Sequence, residues 1–116
     1  LQHLPAIRYV NYAGLPQNPY HQLAKHQFGA TSGAMVCIEL ESQEACFRFI
    51  NRLKLIHRAT NLFDNRTLAI HPASTIYGAF TDEQRREMDV NDTTIRLSIG
   101  LEDVDDLLDD IKQALN

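Results

Sequence analysis

Two stretches of the chain alternate between apolar and polar residues, as half-buried β-strands do. In residues 94–99 the apolar positions are 95, 97 and 99, while Arg96 and Ser98 face the other side. In residues 34–40 one face is formed by Val36, Ile38 and Leu40. Shorter extended segments are predicted within residues 7–12, 55–60 and 68–70. His71 is expected to be extended as well, because a proline follows it.

Four helices are predicted between and after these strands. Asn18 with a proline after it begins a helix that runs to about residue 27. Ser42 caps a second helix, whose apolar stripe is Cys46, Phe49, Ile50 and Leu53. Thr81 and Gln84 form a capping box that begins a short third helix. The last helix has the apolar stripe Val104, Leu107, Leu108, Ile111 and Leu115.

This order of elements predicts an α+β fold, a small and mostly antiparallel sheet with helices packed on one face. At 116 residues the chain has the length of one domain, 1–116. We interpret residues 1–18 as a lead-in arm that contains one short extended segment. The first residue is Leu1, which suggests truncation or processing at this end.

Composition and charge exclude several classes of protein. No apolar run approaches the roughly 20 residues of a membrane helix, and no leader segment opens the chain. Residues 1–60 carry six Lys/Arg against three Asp/Glu, and residues 61–116 carry five against twelve, which gives +3 and −7. The absence of a basic patch argues against nucleic-acid binding. Cys37 and Cys46 are expected to be buried and reduced, which indicates a cytoplasmic protein.

Arg96 is the residue most suited to bind a ligand. A guanidinium is always charged, and its planar fork can form two parallel hydrogen bonds with a carboxylate. A strand holds such a side chain more rigidly than a loop does. From the local pattern alone, an arginine on the solvent side of a sheet that pairs with a neighbouring acid is the more common arrangement.

The other chemical groups give no pattern of a catalytic or metal site. The five histidines lack the spacing of metal ligands, so no metal is expected. No nucleophile is paired with a base, and no phosphate-binding glycine motif is present. The lysines Lys25, Lys54 and Lys112 lie in helical contexts that are expected to be solvated, unlike a Schiff-base lysine.

Four stretches resemble the Cys/Met-metabolism (transsulfuration) family of pyridoxal-phosphate enzymes, specifically its C-terminal domain. They are Gly14-Leu15-Pro16 with Asn18-Pro19, Gly33 to Leu40, Leu68 to Ser74 with its His-Pro-Ala-Ser, and Ile95 to Glu102 followed by Val104 to Leu107. Within the family, the run Asn61-Leu62-Phe63-Asp64 before His-Pro-Ala-Ser is similar to that of O-acetylhomoserine sulfhydrylases.

The resemblance implies a function for the chain as part of a larger enzyme. Arg96 corresponds to the arginine that binds the substrate α-carboxylate, and Asn61 to a residue that assists it beside the cofactor. Pyridoxal phosphate, its lysine and its phosphate-binding residues belong to an N-terminal domain of the same polypeptide. The resemblance also implies that the parent enzyme is a homotetramer that acts on small amino acids in the cytoplasm. The chain alone is therefore expected to be inactive and to contain no catalytic residue.

Two positions depart from the family's pattern. Phe63 stands where glycine is usual, which affects a backbone conformation or a close substrate approach that glycine permits. Ile76-Tyr77 replaces the frequent Thr-His and bears on substrate preference. Two alternatives to a sulfhydrylase domain stay open. One is a related cystathionine γ-synthase or methionine γ-lyase domain, and the other is a freestanding amino-acid-binding, regulatory or dimerisation module.

Overall fold

The computed structural model describes residues 1–116. Five strands, β1–β5 in chain order, cover Tyr9–Asn11, Met35–Glu39, His57–Arg58, Leu68–Ile70 and Thr94–Ser98. Four α-helices, α1–α4, cover His21–Phe28, Gln43–Arg52, Asp82–Glu87 and Val104–Leu115. A 3₁₀ turn covers Pro72–Ser74. The predicted order of strands and helices is confirmed. No helix has both the length and the apolar composition that crossing a membrane requires.

The strands form one sheet in the order β1-β2-β5-β4-β3. Three of the four neighbouring pairs are antiparallel, and β3 alone runs parallel to its neighbour β4. The predicted mixed architecture with a mostly antiparallel sheet is therefore confirmed. Strand β5 lies in the centre, where Leu97 faces Val36 on one side and Ala69 on the other.

One face of this sheet is covered by helices α2 and α4, and the core lies between them and the strands. Ile38, Ile95 and Leu97 are fully buried in it, as the alternation predicts. From the helices the core receives Cys46, Phe49, Ile50, Leu107, Ile111 and Ala114. Helices α1 and α3 lie outside this layer, since α1 buries only Ala24 and α3 buries no residue. The other face carries Arg96 and is covered only in part: Leu68, Ile70 and Ser98 are buried there, whereas Cys37 and Arg96 are half-buried.

The predicted helix starts are confirmed for two helices and displaced for one. The Ser42 hydroxyl accepts from the amide of Ala45, and Thr81 forms the complete capping box with Gln84. Helix α1 begins at His21 rather than directly after Asn18. The Asn18 side chain instead accepts from the amide of Tyr20 and donates to Asn11, so it holds a turn that precedes the helix.

Helix α4 differs from the prediction in the direction of its buried face. Asp110 is buried, whereas Asp105, Asp106 and Asp109 of the same helix are exposed. Val104, predicted on the buried stripe, is 65% exposed. The physical reason is that Asp110 accepts from the amides of Lys54, Leu55 and Ile56, at 2.9, 2.9 and 2.8 Å, which rotates the buried stripe toward residue 110.

Asp110 joins α4 to the segment that leads into β3. Burial by itself raises the pKa of this carboxyl, but the three backbone N–H donors and Gln113 outweigh it and hold the pKa below its ordinary value. The charged form is therefore the one that the fold stabilises. A depressed pKa contributes stability above the unfolded pKa of about 3.9, and this is lost as pH falls through the folded pKa.

We expect Asp110→Asn to lower the free energy of unfolding at pH 7 by about 2 kcal/mol, because charge-assisted bonds to backbone amides are lost. The difference between the two proteins should shrink as pH falls below about 4, where the unfolded chain binds the proton first, and it should be lost once pH falls below the depressed pKa of the native carboxyl. Urea unfolding followed by circular dichroism at pH 7 and pH 3 measures this. Asp109→Asn, at an exposed neighbour, is the control and should change little. A constant difference at both pH values would contradict the assignment.

Candidate functional site

Arg96 lies in the middle of the central strand, on the face opposite to α2 and α4. Its neighbours in register are Cys37 on β2 and Ile70 on β4. Its Nη2 atom donates to the carbonyl oxygen of Thr60 at 3.0 Å, and the side chain is half-buried. No carboxylate of the chain lies within ion-pair distance of it. Four of its five N–H donors thus stay free for a ligand.

Glu39 is the acid whose position on the sheet would allow it to pair with Arg96. It lies on the same face of the sheet, opposite Thr94 and two residues after Cys37. Both of its carboxylate oxygens accept from hydroxyl groups instead, those of Thr93 and Thr94. The threonines satisfy this half-buried carboxylate, so the charge of Arg96 is not neutralised within the chain.

Asn61 follows directly after the residue that Arg96 contacts. The two predicted site residues, 35 positions apart in the sequence, are therefore brought to the same part of the face that carries Arg96. The Asn61 side chain is exposed and makes no hydrogen bond within the chain. It is available to a ligand or to another part of the protein, and its backbone is placed by its neighbours.

The loop that carries Asn61 is fastened to the end of β5 and the residues after it. The Ser98 hydroxyl accepts from the amide of Phe63 at 2.9 Å. Glu102 accepts from both the amide and the hydroxyl of Thr67, each at 2.6 Å. The Thr67 hydroxyl in turn accepts from the amide of Gly100 at 2.9 Å. Residues 61–67 are thus held at both ends.

At Gly100, two residues after the end of β5, the chain lies very close to the backbone of the loop. A Cβ atom at this position would lie 2.3 Å from the carbonyl oxygen of Asn65, which is backbone and cannot move aside easily. Only glycine allows the two chain segments to lie so close. At Glu102, burial raises the pKa, but the two bonds from Thr67 lower it more, so the pKa is below its ordinary value.

Phe63 has a backbone conformation that favours glycine. Its φ is 55°, in the left-handed region, and its ring is 70% exposed. Residue 63 therefore has a backbone conformation that glycine favours, although it is a phenylalanine. A residue with a Cβ costs roughly 1–2 kcal/mol in this region relative to ordinary φ. The conformation is kept in spite of that cost because the Phe63 amide must meet Ser98.

Neither cysteine is suited to nucleophilic chemistry. Cys46 is buried as predicted, and burial raises the pKa of its thiol to about 12, with a further contribution from Glu39. Cys37 was also predicted to be buried but is half-buried, because it lies beside Arg96 on the face of the sheet opposite to α2 and α4. Burial raises the pKa of this thiol too, and the nearby guanidinium only partly offsets it. Both thiols are free of disulfides.

His71 has a structural position that the sequence did not indicate beyond its extended backbone. It is 2% exposed, and its two ring nitrogens lie 2.7 Å from the Ser74 hydroxyl and the Asp92 carbonyl. The carbonyl can only accept, so Nε2 carries a hydrogen and Nδ1 accepts from the 3₁₀ turn. Its ring also contacts Phe47 edge-on.

The chain offers no residue that fits the covalent attachment of a cofactor or the binding of a metal. The three lysines are all exposed, whereas a Schiff-base lysine is desolvated or lies beside another cation. No three His, Cys, Asp or Glu side chains are grouped closely enough to hold a metal ion. What the site can do chemically is bind an anion at Arg96.

The chain matches known proteins over its whole length. The sequence profile of the family described as "Cys/Met metabolism PLP-dependent enzyme" covers residues 1–116. O-acetyl-L-homoserine sulfhydrylase 1 of Thermus thermophilus is 45% identical over 112 residues, which are 96% of this chain and 27% of that protein. L-methionine gamma-lyase of Pseudomonas putida is 41% identical over 96% of this chain and 28% of that protein.

A crystal structure of an O-acetylhomoserine (thiol)-lyase from Campylobacter jejuni, which carries a pyridoxyl-lysine phosphate, superposes with a TM-score of 0.93. The two are 38% identical, and the match covers 98% of this chain and 27% of that one. The chain therefore belongs to the Cys/Met-metabolism family of pyridoxal-phosphate-dependent enzymes, as its motifs indicated. It spans less than a third of the length of these relatives.

We expect the variant with glycine at residue 63 to be more stable than the variant with alanine there, although alanine is usually the more stabilising of the two residues. Phe63→Gly should exceed Phe63→Ala in free energy of unfolding by about 1 kcal/mol, because only glycine adopts the left-handed region without strain. Urea unfolding of the two variants measures this. Leu62, an exposed neighbour without positive φ, is the control, and there alanine should equal or exceed glycine. The same order at both positions would refute the left-handed backbone.

Proposed function

We propose that this chain is the C-terminal, substrate-clamping domain of a pyridoxal-phosphate-dependent sulfhydrylase that joins sulfide to an O-acylated homoserine. In this reaction a carbon–sulfur bond forms, a carbon–oxygen bond breaks, and the acyl group leaves as a carboxylate. The N-terminal domain of the same polypeptide supplies the cofactor, and the active protein is a homotetramer. The substrate is a small amino acid.

The single observation that carries the proposal is the state of Arg96. Its guanidinium is anchored at one N–H by the Thr60 carbonyl and has no acid partner in the chain. A half-buried charge without a partner is unfavourable unless a ligand or another segment supplies the counter-charge. An amino-acid carboxylate fits the planar fork with two parallel hydrogen bonds.

The division of labour in the proposal follows from what the chain contains. Bound pyridoxal phosphate supplies the electron sink for carbanion chemistry. The residues of this chain orient the substrate, with Arg96 on the carboxylate and Asn61 beside it. Positioning of this kind lowers a barrier only when the reacting group is present in the same protein. We therefore propose that the chain alone does not turn over.

A lyase is the second candidate, since methionine gamma-lyases of Pseudomonas putida and Porphyromonas gingivalis are 41% and 39% identical to this chain. The two activities differ in their products. With the full polypeptide, O-acetylhomoserine and sulfide should give homocysteine, whereas methionine should release little 2-keto acid and ammonia. The opposite ratio of rates would favour the lyase.

In the full polypeptide, Arg96→Ala should raise the KM for the amino-acid substrate by about 100-fold, as the loss of two charge-assisted hydrogen bonds predicts. Cofactor content should be unchanged, and Arg96→Lys should be intermediate because it lacks the fork. Steady-state kinetics and cofactor absorbance measure these quantities. Arg58→Ala, at an exposed arginine of β3, is the matched control. Loss of cofactor with an unchanged KM would exclude the clamp.

The isolated chain, mixed with pyridoxal phosphate and reduced with borohydride, should show no stoichiometric adduct on one particular lysine. The reason is that all three lysines are exposed, whereas a lysine that forms a stable Schiff base is desolvated or lies beside another cation. Mass spectrometry of a proteolytic digest measures the labelling of each lysine. We expect weak and similar labelling at all three. Complete labelling at a single site would contradict the proposal that the cofactor lysine lies elsewhere in the polypeptide.

A further inference from the structure

We infer that Ser98 is a positioning residue for the carboxylate site, although its side chain is too deeply buried to contact a substrate. It lies two residues after Arg96 on the same face of β5 and is only 1% exposed. Its hydroxyl accepts from the amide of Phe63 at 2.9 Å. This inference rests on the proposed function and adds to it the residue that fixes the geometry of the site.

The segment 60–63 is attached to β5 at two points on the same strand face. At one point the Thr60 carbonyl accepts from Arg96, and at the other the Phe63 amide donates to Ser98. Asn61 lies between these two points. The amides of Leu62 and Asp64 donate no hydrogen bond in the structure, so Ser98 provides the only amide contact that holds this stretch.

The backbone of Phe63 shows that this contact opposes a local preference. Its φ of 55° is unfavourable for a residue with a Cβ, and its exposed ring has little packing to hold it there. Without the hydroxyl, residue 63 would relax toward an ordinary φ and shift the neighbouring residues. The Thr60 carbonyl would then move relative to Arg96, and the guanidinium would lose its anchored direction.

The inference predicts a specific kinetic change in the full polypeptide. Ser98→Ala should raise the KM for the amino-acid substrate by about tenfold, while kcat changes by less than about twofold, because the substrate-binding arginine remains but is less well aligned. Ser98→Thr, which keeps the hydroxyl, should restore most of the affinity.

The matched control is Ser42→Ala. Ser42 also accepts from a backbone amide, that of Ala45 at 3.1 Å, but at the start of α2 on the other side of the sheet. It should lower stability without changing KM. If Ser98→Ala changed only stability, as Ser42→Ala does, the inference would be overturned. If Arg96→Ala left KM unchanged, the proposed function itself would fail, so the two failures are distinguishable.

A measurement on the unmodified chain covers the case in which Ser98→Ala does not fold. In hydrogen exchange followed by NMR, the amide of Phe63 should exchange at least about tenfold more slowly than those of Leu62 and Asp64, because only it is hydrogen-bonded. Similar rates at all three amides would show that Ser98 does not hold the loop, and the inference would be wrong.

Discussion

The geometry of the site depends on the attachment of loop 61–67 to the end of β5. Two parts of the chain that lie about 35 residues apart meet there through Ser98, Glu102 and the bare backbone of Gly100. Apart from the Thr67 hydroxyl, these contacts are to the backbone of the loop, which fixes its path rather than the identity of its exposed side chains. The loop can therefore carry different side chains at its exposed positions while Arg96 and Asn61 stay together.

Strands β2 and β5 also set the arrangement of charges on the face that carries Arg96. Glu39 is near enough in register to neutralise Arg96, but the hydroxyls of Thr93 and Thr94 occupy both of its oxygens. One backbone carbonyl then orients the guanidinium without cancelling its charge. A guanidinium that is held in place but not neutralised is suited to bind an anion that arrives from outside the chain.

Sequence patterns that act within a few residues predicted most of the fold. Contacts between residues far apart in the sequence could not be predicted in this way. The caps at Ser42 and Thr81 and the alternation in β2 and β5 act within a few residues, so a sequence shows them. The burial of Asp110 was not predicted, because its partners at 54–56 lie more than 50 positions away and an aspartate in a helix ordinarily faces solvent. The pairing of Ser98 with Phe63 was equally hidden, although alternation had already placed Ser98 on the face of Arg96.

Position 63 shows that the backbone path of the loop is set independently of the side chain that the loop carries there. The backbone there adopts the conformation for which glycine is best suited, although the residue is not glycine. The path of the loop is thus set by its contacts with β5, which are strong enough to outweigh roughly 1–2 kcal/mol of local strain. The exposed ring is then carried on a backbone conformation that glycine also adopts. Since it lies two residues from Asn61, it forms part of the surface that the site presents.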